Sequence, residues 1–194
     1  MSHLIRNSGY SGLGEDRIHL WDVATLSPRA DFDLFQNETL VSTELSPDGT
    51  IFATRALTAA DVYSLRIHDA TSGEMRLYLR GETPESVNLT HLRGRYTQPG
   101  NMAFYPDGSL LAEAIGFDGT RVWNTRTGGL VETWGSYPAS YSVVFSPDGR
   151  FHVHESGNTY LRLNDDRTQY HNFIEGSLPI FSPDSTMLVL MEED

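Results

Sequence analysis

Cysteine and lysine are both missing from this 194-residue chain. Without cysteine there is no disulfide framework and no thiolate metal site. All 14 basic residues are arginine, a pattern that compositional bias from a GC-rich genome explains better than selection for bidentate pairing. Positive charge is scarce as well: 26 acidic residues leave a formal net charge of −12. Such a field repels phosphate backbones, which argues against nonspecific nucleic-acid binding and leaves a neutral or basic protein or peptide as the expected partner. No stretch approaches the roughly 20 apolar residues a membrane helix needs. Nor does the N-terminus show a charged-then-apolar signal segment, so the sequence reads as soluble, unexported and cytoplasmic. The length suffices for a sizeable core and points to a single domain over residues 1–194.

What is present is a repeat. Ser46-Pro47-Asp48-Gly49 returns as Tyr105-Pro106-Asp107-Gly108, Ser146-Pro147-Asp148-Gly149 and Ser182-Pro183-Asp184-Ser185, each after a short apolar run. The prolines lie 59, 41 and 36 residues apart, a period of the kind that means a solenoid, propeller or array. A second recurring stretch follows each copy or precedes the first: Ile18-His19-Leu20-Trp21-Asp22, Leu65-Arg66-Ile67-His68-Asp69, Arg121-Val122-Trp123-Asn124 and Leu161-Arg162-Leu163-Asn164-Asp165. Alternation of apolar and polar residues over runs this short predicts half-buried strands. Proline presets a type I turn, Asp tolerates the next position and Gly admits a positive backbone angle, so each Pro-Asp-Gly closes a hairpin.

These residues resemble the WD40 repeat family, with Trp21-Asp22 matching its dipeptide in full and Trp123-Asn124 and His68-Asp69 each keeping half. The Gly-His pair that commonly opens such repeats is absent, and periplasmic TolB-like propellers with a similar Pro-Asp repeat are a rival label. The resemblance implies an all-β propeller of about four blades, or a partial arc of a larger one. Blades are expected over residues 40–80, 100–135 and 141–176, with incomplete blade strands in 1–35 and 178–192. The strand count is one too many for a closed four-bladed ring. A longer propeller, or a homodimer completing one ring, therefore stays open beside closure through the two ends.

Candidate chemistry is thin. His152 and His154 share one face of a predicted strand and can begin a metal site, but a third ligand stands at no indicative spacing, and an ordinary strand is the favoured reading. Gly9, Gly12 and Gly14 match neither a dinucleotide fingerprint nor a Walker loop. No Gly-x-Ser-x-Gly elbow occurs. Asp48, Asp107, Asp148 and Asp184 read as turn residues, Trp21, Trp123 and Trp134 as packing, and Asn37-Glu38-Thr39 and Asn88-Leu89-Thr90 as chance glycosylation triplets. No cofactor is implied.

One segment breaks the repeat. Residues 81–99 make a long connection that carries His91, Arg93, Arg95 and Tyr96 and follows Arg80, locally basic on an acidic protein. Connections of this length are functional or disordered, and Arg and Tyr are enriched at interface hot spots. The function expected is a noncatalytic scaffold binding protein or peptide through rim loops. The alternatives are a substrate-gating propeller of a larger enzyme such as a hydrolase, and a small-ligand-binding propeller.

Overall fold

The computed structural model describes residues 2–7, 17–33, 38–58, 63–79, 100–116, 119–134, 140–155, 159–164, 170–174 and 176–191. Among them lie 17 strands and no helix, so none is long and apolar enough to cross a membrane. All sheets are antiparallel, and their strands lie side by side in sequence order. The chain divides into two compact units, Met1–Thr90 with Thr125–Gly129, and His91–Asn124 with Leu130–Asp194.

The first unit holds a three-stranded sheet, β1 (Ser2–Asn7), β2 (Arg17–Asp22) and β3 (Ser27–Asp33). Beside it is a four-stranded sheet, β4 (Glu38–Leu45), β5 (Ile51–Thr58), β6 (Tyr63–Asp69) and β7 (Met75–Leu79). Strand β2 shows the alternation its sequence predicts: Ile18 and Leu20 are buried while Arg17 and Trp21 are not. Ile18 and Leu20 pack with Leu40, Phe52 and Ala70, joined by Ala30, Phe32 and Leu45. Phe32 stacks on Phe52 at 5.4 Å between ring centroids. Gly73 is required here, because a Cβ on it would lie 1.8 Å from the Phe32 ring.

The second unit holds β8 (Met102–Phe104), β9 (Leu110–Ala114), β10 (Thr120–Asn124) and β11 (Leu130–Trp134) as one sheet. Strands β12 (Ser142–Phe145), β13 (Phe151–Glu155), β14 (Thr159–Leu163) and β15 (Tyr170–Ile174) form the next, and β16 (Ser177–Phe181) with β17 (Leu188–Met191) a hairpin. Ala112, Ala114 and Val122 from the first of these sheets bury against Val143 and Phe145 from the second. Asn101 stitches the pair: its amide nitrogen donates to the Val143 carbonyl at 2.9 Å and its oxygen accepts the Val143 N–H at 2.7 Å.

The repeated turns share one construction. The fourth residue donates its backbone N–H to the first residue's carbonyl in all four copies, at 2.8 to 2.9 Å. Ser46, Ser146 and Ser182 donate their hydroxyls to Asp48, Asp148 and Asp184 at 2.7, 2.6 and 2.6 Å. The last position is left-handed in each, φ +69° at Gly49, +71° at Gly108, +72° at Gly149 and +60° at Ser185. In the third full repeat the register departs from the alignment read in the sequence. Phe151 faces Leu163, whereas the matching Ile51 faces Asp69 and Leu110 faces Asn124. Asn164 therefore stands one position beyond the strand pair, where its amide donates to the Gly149 carbonyl at 2.6 Å.

Candidate functional site

Alternation along β13 puts His152 and His154 on one face and Val153 on the other, and cross-strand pairing sets Phe145 and Arg162 beside His152, Val143 and Tyr160 beside His154. The imidazoles sit in an aromatic stack. Trp134 lies on His152 at 4.1 Å with planes 14° apart, Tyr160 lies on His154 at 5.1 Å and 10°, and the two histidine rings are 6.1 Å from each other. The Asn164 side-chain oxygen is 2.5 Å from His152 Nδ1. Its amide nitrogen is committed to Gly149, so the oxygen accepts, Nδ1 carries the hydrogen and Nε2 keeps the lone pair. His152 Nε2 and His154 Nδ1 are both buried without a hydrogen-bond partner among the described residues.

Burial is the main reason both rings resist protonation. It pushes His152 down to about 4 against the Asn164 bond, with Arg162 adding repulsion, and His154 down to about 4 with help from His152 and Arg162. At neutral pH the pair is uncharged and offers two nitrogen lone pairs. A metal ion needs at least one more protein ligand in any common tetrahedral site, and no group of three or more His, Asp or Glu residues that could hold one occurs among the described residues. The rings pack on one another, and a proton on either disrupts that packing.

The carboxylates divide between those held low by hydrogen bonds and one pushed up by burial. Asp48, Asp148 and Asp184 are held below the usual range by the hydroxyl of the serine that opens each turn and by backbone N–H groups. Asp69 is drawn to about 2 by the Ser72 and Thr71 N–H groups and by Arg76. Each of these groups binds within its own hairpin, as do Asp22, which accepts from Ala24 and Thr25, and Asp107, which accepts from Ser109; Asp148 meets Ser185 of the next turn as well. Glu38 forms a bidentate pair with Arg66 at 2.5 and 2.6 Å. Glu44, in contrast, is pushed up to about 7 by burial.

The tryptophans have separate fates. Trp123 is buried and donates its indole N–H to Glu113 at 3.3 Å, Trp134 lies on His152, and Trp21 is 37 % exposed. Pro47, Pro106, Pro147 and Pro183 all occupy turns. Arg80, His91, Arg93, Arg95 and Tyr96 lie outside the described residues, as do Gly9, Gly12 and Gly14.

Sequence reasoning missed the Trp134–His152 stack, the Asn164 bond and the Arg66–Glu38 pair. All three join separate strands or loops, and the only sequence signal was the face parity of each strand. Comparison with models of known protein families and with curated proteins finds no match.

Proposed function

We propose that this chain is a WD40-like β-propeller, or an arc of one, acting as a noncatalytic platform that binds protein or peptide through its rim loops. The observation that carries the reading is the succession of sheets: each Pro-Asp hairpin joins the first two strands of a sheet whose strands then follow in sequence order. That is the plan of a propeller blade. The chemistry within those sheets supports a platform over an enzyme, since the turn carboxylates are held by the serines that open their own turns and the histidine pair is uncharged, with His152 buried and His154 half-buried.

The contact surface in this proposal is the connection bearing His91, Arg93, Arg95 and Tyr96, with Arg80 at its root. Its arginines would pair with acceptors on the partner, and Tyr96 would add apolar area with a polar tip. The test is affinity capture from an extract, followed by mass spectrometry, with the wild-type chain and the Arg93→Ala/Arg95→Ala/Tyr96→Ala variant side by side. Specific proteins held by the wild type and lost by the variant support the loop. Equal capture by both discards the loop, and no specific capture by either discards the platform.

A further inference from the structure

Within each of the two units, neighbouring sheets stack in the same sense. Call the side of each sheet bearing Ala53, Ala112 or Val153 its forward face, and the side bearing Phe52, Leu111 or His152 its rear face; each of the first three residues stands six positions after its Pro-Asp proline. In the second unit the forward face of β8–β11 (Ala112, Ala114, Val122) lies on the rear face of β12–β15 (Val143, Phe145). In the first unit the forward face of β1–β3 (Ile18, Leu20, Phe32) lies on the rear face of β4–β7 (Leu40, Phe52). The contacting residues of the forward faces are apolar, although Arg55, two residues from Ala53, and Glu44, paired with Ala53, stand on the forward face of β4–β7, and rear faces mix rings with polar groups.

Val189 holds the same forward position in β16–β17, six residues after Pro183. Ala53, Ala112 and Val153 are 0 % exposed, whereas Val189 is 61 % exposed. Around it Ile180 and Met187 are each 64 % exposed and Met191 is 45 % exposed. Ile180 pairs directly with Val189, so these two side chains share one face and, with Met187 and Met191, make an exposed apolar patch among the described residues, the kind of surface that marks an interaction site.

By the stacking rule, what fits there is a rear face. Among the described side chains, the rear face of β1–β3 also reaches solvent: Trp21 is 37 % exposed, and its flanking ion pairs Arg17–Asp33 and His19–Asp31 are partly exposed. A covered rear face in this chain tolerates such a pair. Arg66, the counterpart of His19 three residues before the strand-end Asp, is buried with Glu38 at 7 % and 9 % side-chain exposure on the rear face of β4–β7.

We propose that a second copy of this chain seats the rear face of its β1–β3 sheet, centred on Trp21, on the forward face of β16–β17, centred on Ile180 and Val189. The contact is head-to-tail, with different surfaces contributed by the two copies. It rests on the observed stacking of sheets and not on the platform reading, so either can fail alone.

The test is sedimentation velocity over a concentration series, with circular dichroism to verify folding. Wild type should self-associate reversibly. Val189→Glu and Trp21→Arg should each raise the dissociation constant at least tenfold, while an equimolar mixture of the two regains association, because each variant keeps the face the other has lost. Val189→Thr and Trp21→Ala serve if a charged variant fails to fold. A wild type monomeric at every concentration overturns the proposal. So does undiminished association of the Trp21 variant alone, which would show the apolar patch pairing with itself, and so does a mixture that stays monomeric.

Discussion

Leu26 occupies a place that its counterparts give to glycine. It ends the β2–β3 turn at φ +52°, where the equivalent Gly73 has +73° and Gly128 +75°. A left-handed conformation costs an L-residue with a Cβ roughly 1–2 kcal/mol, and Leu26 is 78 % exposed, so little burial offsets it. Leu26→Gly should therefore raise stability by about 0.5–1 kcal/mol after the extra chain entropy of glycine is counted, while Leu26→Ala, which keeps the Cβ, should change it little. Urea midpoints at unchanged slope decide this. Ser185 stands in a similar glycine slot at φ +60°, but its hydroxyl accepts the Asp148 N–H at 3.0 Å; Ser185→Gly should accordingly gain less than Leu26→Gly in the same assay. The slots themselves were legible, since aligning the turns sets Leu26 beside Gly73 and Ser185 beside Gly49. That Ser185 has a partner 37 residues away was not.

At the scale of strands, legibility followed burial. Strand β2 alternates because one face is buried and the other wet, and its span was readable to the residue. Strands β5 and β6 bury both faces from Ile51 to Ala56 and from Ser64 to His68, so periodicity says little there and the polar residues on them look like surface. Arg66 is the clearest case: its buried pair with Glu38 joins strands 28 residues apart, and Glu38 stood out in the sequence only as the middle of a glycosylation-like triplet. Removing one partner strands a buried charge, which costs about 3–5 kcal/mol, whereas replacing both by apolar groups is often neutral. Glu38→Gln should consequently destabilise the chain by that order and Glu38→Leu/Arg66→Met should restore most of the loss, a double-mutant cycle readable by thermal or urea melts. Strand β14 was legible as a strand but not in register, because Asn164 mimics the strand-end residue of the other repeats while serving as a bridge from Gly149 to His152.

Across the whole molecule, acid acts in opposite directions on the buried histidines and on Glu44. His152 and His154 in the second unit have folded values near 4 against an ordinary 6.5, so the unfolded chain binds protons first. Their contribution is complete above pH 6.5 and is lost as pH falls toward 4. Glu44 in the first unit is displaced the other way, from 4.5 to about 7. There the folded state binds the proton first, and stability rises as pH drops from 7 toward 4.5, although His68, held low by burial, works against that gain. By linkage, shifts of this size are each worth on the order of 2 kcal/mol between pH 7 and 5, so Glu44 offsets about one of the histidines and the wild-type pH dependence is shallower than the histidine pair alone would make it. Glu44→Gln removes a titrating group without changing side-chain size, so the variant should lose on the order of 2 kcal/mol more than wild type between pH 7 and 5. His154→Gln should shift the comparison the opposite way, leaving a chain that loses less on acidification. Urea unfolding of the three proteins at both pH values measures the differences directly. Parallel losses in all three would show that neither Glu44 nor His154 titrates as its burial requires, and that solvent reaches both groups in the folded chain.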